Sequence, residues 1–535
     1  MRQKHRHVAA FATGVLAATL SIIAVPASGT AITAKTTEEV APGVIYEAYT
    51  YEGQPVHQLS VSIAEDHITA DVLVPDAIAD AEKPSTMAEA ANATTVVNGD
   101  FFNNSEDGWD TYTNAPVGPM VTDNAELFPA YTGRTYEKGA VPGAQRMGPP
   151  RPGGSPNESV LGFRDGEPVM TEMNVEGEVS REDGTFPLEG VNQYGLRGNG
   201  MGYFDADWGS AERLRAACGD SNDRHAPCSE NITDVLIRNG KVVDIDDLFP
   251  DTVPGENTPF EHYRPIGENE YVLFGRGAAA DWLRDLNPGD SVTADWSLTS
   301  PAGDLDTALG GMPIVRDGAI IDGIPNDDPA IRTAVGYNAG GNVLYMVTVG
   351  DCQKISVGCD RDGLSLAGLS ELMIEIGAVD ALNLDGGGSS MMGTAEDDGT
   401  IKTRNNPSDP LGERPVANAL AIFATDKRIS YMEGRWKMQN GSPFAPSLLV
   451  DERGAARYVA DGAYDFFGPL ELSSDSSDTE WSLSSDFQKY SYLDDSITEG
   501  FTFSLSVDAG SANPTPEPGD QFTDADGNVW ERQAE

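Results

Sequence analysis

The amino-acid sequence predicts an α+β protein in which a strand-rich core, built on a mixed sheet, carries few helices. Short apolar runs with strand-like alternation recur along the chain, for example His57–Ile63 and Ile68–Val74. Clear helical periodicity is found over Leu364–Ile376, where apolar side chains return every three to four residues. No repeat of solenoid length is present in the sequence, so a repeat architecture is not expected.

The other elements follow from the same patterns, taken in chain order. Thr86–Ala93 and Ala278–Leu286 are predicted to be short helices. Apolar segments bounded by turn residues are predicted to be strands, several within Val44–Val74 and then Thr94–Asn98, Asp234–Val243, Glu270–Phe274, Thr293–Leu298, Ile331–Val335, Val343–Val349 and Val416–Phe423.

The first 31 residues are typical of a secretory signal peptide. Arg2, Lys4 and Arg6 precede an apolar run from Val8 to Val25, and small residues follow that run. Polar residues interrupt the run, which favours cleavage over the alternative of a membrane anchor. We therefore expect a secreted, extracellular protein with no transmembrane segment after cleavage.

Composition beyond the leader suggests how the chain is divided. Residues 35–43 are expected to be a short linker, and residues 44–425 the main domain. Residues 427–508 contain further strand-like pieces and are expected to form a small β-rich C-terminal appendage. Residues 509–535 are acidic and rich in Pro and Gly, which predicts an acidic flexible tail. The sequence does not predict the oligomeric state.

The charge of the chain excludes one class of partner. The sequence has 85 Asp and Glu residues against 35 Lys and Arg, a formal net charge of -50. Such a field repels polyanions, so no nucleic acid partner is expected. A single acidic side chain is therefore first interpreted as a solvated surface charge. Because 39% of the residues are hydrophobic, the chain can still bury a substantial core.

Four cysteines, an even number, fit a disulfide-bonded secreted protein. Three pairings are possible, and we favour the one that closes two short loops, Cys218–Cys228 and Cys352–Cys359. No Cys-x-x-Cys spacing occurs, so a thiolate metal site is not expected.

A glycine-rich turn at the end of a predicted buried strand is the most informative stretch of the chain. Residues 381–392 read Ala-Leu-Asn-Leu-Asp-Gly-Gly-Gly-Ser-Ser-Met-Met, and the predicted helix precedes them. The pattern places polar atoms at a strand end, where ligands often bind. Three glycines allow backbone N–H groups to converge on an anion. The alternative is a tight turn that needs positive φ.

The string Asn383–Ser390 resembles the signature of the phosphodiester glycosidase family, and other segments match in the same order. Asp100 and Met312 depart from that pattern at positions where glycine is common. The resemblance covers roughly residues 44–425 and implies a hydrolase that acts on a glycosyl phosphodiester. The further matching segments are Val96–Asn103, Leu309–Val315, Ile331–Gly336 and Glu413–Leu420.

The chemistry of a sugar 1-phosphodiester suggests roles for residues in these motifs. The leaving group is a phosphate monoester, already a stable anion, so the site needs positive potential around the phosphate and one carboxylate at the anomeric carbon. No histidine lies in a matching motif, which argues against a Ser–His–Asp hydrolase. The candidate catalytic residues are Asp385, Asp100, Arg332 and Glu413, and the candidate substrate-binding residues are Asn98, Asn383, Gly386, Gly387, Gly388, Ser389, Ser390 and Arg414.

Two alternatives stay open at the level of sequence. No cofactor is required by this chemistry, but Asp100, Asp351 and Asp385 at three strand ends could instead bind Ca²⁺, with Asp351 as a candidate ligand. The alternative function is a non-catalytic secreted protein that binds an exopolysaccharide or cell-envelope polymer. In that case exposed Trp109, Tyr112 and Trp208 would stack on sugars. The sugar, its linkage and the stereochemical outcome are not predicted.

Overall fold

The structure is a computed structural model, and its strands and helices are numbered here along the chain. It describes residues 32–533 apart from 66, 105–112, 123–158, 220–227, 249–264, 268, 325, 327, 352–362, 397–398, 425–431, 433, 440–444, 451–454, 462–463, 473–479, 492–495 and 509–520. Within these residues, 34 strands form six sheets and three α-helices are present. The expected strand-rich fold with few helices is confirmed.

An eight-stranded sheet carries most of the strand residues of the candidate site predicted from the sequence. Its order is β1-β2-β3-β21-β20-β22-β18-β19. Its strands are β1 (Thr33–Ala41), β2 (Val44–Tyr51), β3 (Gln54–Val61), β18 (Met312–Arg316), β19 (Ala319–Ile320), β20 (Arg332–Asn338), β21 (Leu344–Val349) and β22 (Ala378–Asn383).

A five-stranded sheet with the order β24-β23-β5-β25-β4 contributes further strand ends to the site. Its strands are β4 (Ile68–Leu73), β5 (Thr95–Asn98), β23 (Met392–Ala395), β24 (Ile401–Thr403) and β25 (Ala419–Ala424). Helix α1 (Pro84–Ala90) packs against this sheet.

Three smaller sheets complete the region before residue 425. They are β6-β17-β7-β8, β11-β12-β15-β13-β14 and β10-β9-β16. Helix α2 (Ala278–Arg284) packs on β13 and β15. Their strands are β6 (Met120–Val121), β7 (Ser159–Arg164), β8 (Glu167–Glu172), β9 (Asn174–Arg181), β10 (Gly184–Pro187), β11 (Gly190–Val191), β12 (Met201–Phe204), β13 (Ile232–Arg238), β14 (Lys241–Leu248), β15 (Glu270–Arg276), β16 (Thr293–Thr299) and β17 (Thr307–Gly310).

The C-terminal strands form a nine-stranded sheet that encloses its own apolar cluster, which contains Trp436, Phe503 and Trp530. The order is β29-β28-β27-β26-β34-β33-β32-β31-β30, with an additional pairing of β29 with β31. The strands are β26 (Gly434–Met438), β27 (Ser447–Val450), β28 (Ala455–Asp461), β29 (Tyr464–Pro469), β30 (Glu471–Leu472), β31 (Glu480–Ser491), β32 (Ser496–Asp508), β33 (Gln521–Asp524) and β34 (Val529–Arg532).

Helix α3 (Leu366–Glu375) forms where the periodicity of the sequence predicts a helix. Ser365 caps its N-terminus, because the Ser365 hydroxyl accepts a hydrogen bond from Gly368 N at 3.1 Å. The chain turns at Gly377, whose φ of +109° suits glycine, and then enters β22. The apolar face of α3 packs on β18, β20 and β22.

The two faces of the eight-stranded sheet belong to different apolar clusters. Val335 of β20 and Leu382 of β22 point into one cluster, whereas Ala334 and Ala381 point into the other, which contains the leucines of α3. This follows from the period of two in a strand. We call the face that carries Ala334 and Ala381 the helix face and the opposite face the core face.

Two segments differ from their expected description. The expected linker at residues 35–43 largely lies within β1, which pairs with β2 at the edge of the eight-stranded sheet. The expected flexible tail contains β33 and β34, and Trp530 is fully buried. Trp530 Nε1 donates to Asp524 Oδ2 at 2.9 Å, which holds this hairpin closed. Burial of one large aromatic side chain outweighs the acidic composition on which the prediction relied.

Of the two predicted disulfides, Cys218–Cys228 is confirmed. Cys352 and Cys359 lie outside the described residues, as do the predicted signal peptide and the two aromatic residues Trp109 and Tyr112. In the described part of the chain, no helix has the length and apolar character needed to cross a membrane.

Candidate functional site

The ends of β20, β21 and β22 lie side by side. Arg332 at the start of β20 pairs with Val349 at the end of β21, and Ala334 pairs with Asn383 at the end of β22. These pairings are all antiparallel, so the start of β20 lies beside the ends of β21 and β22. The polar residues at these positions are therefore brought together at one end of the strands.

β5 of the second sheet reaches the same edge. Asp385 N donates to Gly99 O at 3.1 Å, and Asn98 Nδ2 donates to Asp385 O at 2.8 Å. Leu384 N donates to Thr333 O at 2.8 Å, so the pairing of β22 with β20 extends past the last strand residue. The matching segments Val96–Asn103 and Asn383–Ser390 are therefore brought together.

On the core face, three buried side chains form a polar network. The Thr333 hydroxyl lies 2.8 Å from Asn98 Oδ1 and 3.0 Å from Ser390 Oγ. Asn98 Oδ1 also accepts from Met391 N at 3.0 Å. Thr333, Asn98 and Ser390 are all fully buried. Their hydrogen bonds hold the glycine turn against the strands, which is a structural role. Sequence reasoning did not single out Thr333, although it lies within the third matching segment.

The glycine turn is a tight turn with positive φ at Gly387, φ +59°. A Cβ atom on Gly388 would lie 2.1 Å from Arg414 Nη2, whereas a Cβ atom on Gly387 would meet nothing within 4 Å. The predicted convergence of N–H groups on an anion is not observed. Most of these groups have partners inside the protein. The partners are Asp385 Oδ1 for Gly386 N, Ile331 O for Gly387 N, Gly386 O for Ser389 N and Gly387 O for Ser390 N.

Asp385 directly precedes the three glycines of this turn. Its carboxyl is partly buried, and burial raises its pKa from 3.8 to about 6. Hydrogen bonds from the Ser389 hydroxyl and from Gly386 N, at 2.9 Å, and the charge of Arg414 oppose that rise. A carboxyl that titrates near neutral pH, among hydrogen-bond donors, is a typical catalytic group.

Arg414 lies close enough to Asp385 for its charge to act on the carboxyl, whereas Arg332 contacts other groups. Arg414 Nε donates to Asp409 Oδ2 at 2.8 Å, and Arg414 Nη1 donates to Ser389 Oγ at 3.3 Å. Arg332 lies opposite Asp385 in the extended register. Its Nε and Nη2 donate to the carbonyl oxygens of Leu364, at 3.2 Å, and Asp328, at 2.8 Å.

Within the described part of the chain, the Arg332 guanidinium has no carboxylate in contact. Burial lowers the pKa of the Arg332 guanidinium, and the nearby Asp328 opposes that change. In particular, Arg332 forms no ion pair with Asp351 or Asp385 among these described residues. A partly buried cation whose described contacts are with neutral acceptors favours an anionic ligand.

Two predicted catalytic carboxylates have other roles. Asp100 is fully buried and accepts hydrogen bonds from Phe101 N, at 2.8 Å, and Gly118 N. Glycines at 118 and 310 leave room for it, since a Cβ on either would lie within 2.7 Å of Asp100 Oδ2. This explains an acid where the family pattern has glycine: the carboxylate binds backbone groups in a glycine-lined space.

Glu413 stabilises the start of helix α1. Its Oε1 accepts from Ser85 N and its Oε2 accepts from the Ser85 hydroxyl, both at 2.7 Å. Both carboxylate oxygens are therefore engaged at a helix N-terminus, where a negative charge is favourable. Neither Asp100 nor Glu413 presents a free carboxylate to Asp385.

Asp351 lies at the rim of the same edge. Its Oδ2 is 3.6 Å from His57 Nε2, and its Oδ1 accepts from Asn406 N at 2.9 Å. His57 Nδ1 lies 2.7 Å from the Tyr46 hydroxyl. Among the described residues, no three His, Cys, Asp or Glu side chains form a group that could hold a metal ion. Bound Ca²⁺ thus stays a prediction without support from the arrangement of Asp100, Asp351 and Asp385.

Part of the chain matches a known protein family. Residues 239–423 match the family model of the phosphodiester glycosidases. The phosphodiester glycosidase match includes Arg332, the glycine turn with Asp385, and Arg414, but it does not extend to Asn98 and Asp100. The resemblance expected from the motifs is confirmed over this stretch.

Solved structures give a second comparison. A hypothetical protein from Synechocystis superposes with a TM-score of 0.51 at 17% identity, over 73% of this chain and 64% of its own. This chain thus spans less than two thirds of that protein, and the similarity shows a shared fold. No match is found among curated protein sequences.

Two further structures superpose less well. A candidate exported protein from Burkholderia pseudomallei gives a TM-score of 0.49 at 18% identity, over 70% of this chain and 74% of its own. The catalytic domain of zebrafish N-acetylglucosamine-1-phosphodiester α-N-acetylglucosaminidase, auto-inhibited by its pro-peptide, gives 0.31 at 13% identity, over 74% and 84%. Both scores are too low to support a structural argument.

Proposed function

We propose that the protein is a secreted hydrolase that cleaves the glycosyl–phosphate bond of a sugar 1-phosphodiester in a glycan or cell-envelope polymer. One observation carries the proposal: the Asp385 carboxyl, with a pKa of about 6, stands at a strand end beside Arg414 and opposite Arg332. The phosphodiester glycosidase match over residues 239–423 supports the reaction class. The Cys218–Cys228 disulfide supports an oxidising, extracellular location.

The reaction needs one carboxylate and a cationic environment. The bond between the anomeric carbon and the phosphate oxygen breaks, and its electron pair leaves with the phosphate monoester. A water oxygen replaces that oxygen on the anomeric carbon. Asp385 acts in its ionised form, either as a base that takes the water proton or as a nucleophile that water later displaces. Because the leaving group is a stable anion, a second carboxylic acid is not needed.

The phosphate would bind on the side of Arg332. Arg332 Nε and Nη2 donate to backbone carbonyl oxygens, and neither contact neutralises the charge of the guanidinium. In a chain of net charge -50, an anionic substrate needs such a local cation. Arg414, whose Nε is paired with Asp409, is better suited to holding Ser389 and the glycine turn in place.

The proposal is tested with benzyl phosphodiesters of glucose, galactose, mannose and N-acetylglucosamine 1-phosphate. We expect turnover of at least one to free sugar and benzyl phosphate. In H₂¹⁸O the label should enter the sugar and not the phosphate, because water attacks carbon. Label in benzyl phosphate would show phosphorus attack and contradict the proposal. Saturable binding of these esters without turnover would favour the alternative, a non-catalytic glycan-binding protein.

One part of that alternative can already be corrected. Trp208, predicted as an exposed sugar-stacking residue, is fully buried, and its ring packs edge-on to Phe204 with centroids 5.1 Å apart. Trp208 Nε1 donates to Ala211 O at 2.9 Å. It belongs to a buried apolar cluster of residues that are distant in sequence, which the local sequence does not show.

A further inference from the structure

Asn383, the last residue of β22, has an unusual side chain. It is 2% exposed, and its Oδ1 has no hydrogen-bond partner among the residues that the structure describes. Asn98, the last residue of β5, is equally buried, but its Oδ1 accepts two hydrogen bonds and its Nδ2 donates to Asp385 O. Buried polar atoms without partners are rare in proteins, and each one calls for an explanation.

The register shows which face Asn383 occupies. Asn383 pairs directly with Ala334 on one side and with Met312 on the other, and both of these residues belong to the apolar cluster of the helix face. Side chains two residues apart on a strand lie on the same face. Asn383 therefore lies on the face of Arg332 and Asp385, one step deeper into the sheet.

An unpaired carbonyl oxygen beside this site can select a ligand. Leaving a buried acceptor unpaired is unfavourable, and a ligand donor that reaches it removes that cost. A carbonyl oxygen accepts only from O–H or N–H, and it repels phosphate oxygens and ether oxygens. It would therefore contact the sugar and not the phosphate.

We propose that Asn383 Oδ1 accepts a hydrogen bond from one hydroxyl or amide N–H of the substrate sugar and so determines which sugar is hydrolysed. This inference rests on the proposed function. It makes Asn383 a specificity-determining residue in the floor of the site, whereas Asp385 acts on the anomeric carbon and Arg332 contacts the phosphate.

The test uses the benzyl phosphodiester that is hydrolysed fastest and its monodeoxy derivatives, with the amide removed in turn if the sugar carries one. Wild-type protein should lose kcat/KM by about 10- to 100-fold on one derivative, the one that lacks the donor. Asn383→Leu should lose a similar factor on the parent ester and no further factor on that derivative. Asn383→Ala, which is smaller, serves if the leucine variant does not fold.

The outcomes separate the two proposals. If Asn383→Leu slows every ester by the same factor, with no dependence on the deoxy position, the specificity role is wrong and the hydrolase proposal stands. If no ester is hydrolysed by wild-type protein, both fall.

Melting temperature gives a readout that does not depend on activity. Asn383→Leu should keep or raise the Tm by about 2 °C, because it removes an unpaired buried acceptor. Asn98→Leu should lower the Tm, because it breaks paired hydrogen bonds. Equal losses in the two variants would show that Asn383 is held by the protein itself and would overturn the inference.

Discussion

At the ends of β20 and β22, the polar atoms on the two faces of the sheet differ in whether they have partners within the protein. On the core face, Asn98, Thr333 and Ser390 bind one another and the backbone. On the helix face, Arg332 has no carboxylate partner and Asn383 Oδ1 has no hydrogen-bond partner among the residues that the structure describes, and Asp385 has a raised pKa. A satisfied network rigidifies a fold, whereas unsatisfied groups next to it are available for a ligand.

Neighbouring residues in one motif thus have opposite roles. Arg332 and Thr333 are adjacent in sequence, yet one points to the helix face and the other to the core face, because side chains alternate along a strand. Residues of a family motif on a strand should therefore first be sorted by the face of the sheet on which their side chains lie, and only then be assigned roles.

Replacing Asp385 by Asn should remove the reactive carboxylate from the helix face. We expect kcat/KM on a hydrolysed sugar phosphodiester to fall by about 10³- to 10⁴-fold. In wild-type protein, kcat/KM should rise with pH through about 6, where Asp385 ionises, and then level off. Steady-state kinetics from pH 4 to 9 measure both. A flat profile, or a variant within tenfold of wild type, would move the reactive carboxylate elsewhere.

Replacing Arg332 should affect the phosphate in particular. Arg332→Ala should lower kcat/KM on the phosphodiester by about 100-fold, and Arg332→Lys by less, because lysine keeps a charge but not the bidentate fork. The control is a neutral aryl glycoside of the same sugar. If Arg332→Ala impairs both substrates equally, the residue is structural.

Breaking the core-face network should affect stability more than chemistry. Asn98→Ala removes the acceptor of the Thr333 hydroxyl and of Met391 N and the donor to Asp385 O. We expect a loss of about 2–3 kcal/mol in the free energy of unfolding. Denaturant titration measures it. A loss below about 0.5 kcal/mol in the free energy of unfolding would contradict a stabilising role for this network.

The glycine turn allows a matched pair of substitutions. Gly387 and Gly53 both have positive φ, +59° and +81°, and in both a Cβ atom would meet nothing within 4 Å. A valine at either position should cost about 1–2 kcal/mol of backbone strain. Only Gly387→Val, next to Asp385, should also reduce turnover of the folded protein. If the two variants lose stability alike and keep equal activity, the turn has no role beyond its shape.

The smallest effect concerns stability and pH. Because the folded-state pKa of Asp385 is raised from 3.8 to about 6, the folded state binds its proton more tightly, and this group's contribution to stability falls as pH rises through that window. Asp385→Asn should therefore be more stable than wild type by about 1 kcal/mol at pH 7, with solvent screening of this partly exposed group taken into account, and less so at pH 4. A stability difference independent of pH would argue against the raised pKa.

Metal dependence can be tested at the same time. No group of three acidic or histidine ligands is assembled in the described residues, so we expect EDTA to leave turnover unchanged. Activity lost with EDTA and restored by Ca²⁺ would show a site formed with residues outside that part of the chain.

Local sequence was sufficient for some features. The strand-rich character, helix α3, the turn at Gly386–Gly388 and the placement of Asn383 and Asp385 at a strand end all follow from residue periodicity and glycine chemistry. Each depends on contacts within a few residues along the chain.

The roles of the carboxylates were decided by tertiary structure. Glu413 binds Ser85, 328 residues away, and Asp100 binds Gly118 in a space shared with Gly310. Sequence determined that an acid, glycines and arginines occupy the motifs. Only the pairing of distant strands decided which of these polar groups are satisfied by the protein and which remain for a ligand, because hydrogen bonding and burial depend on neighbours in space.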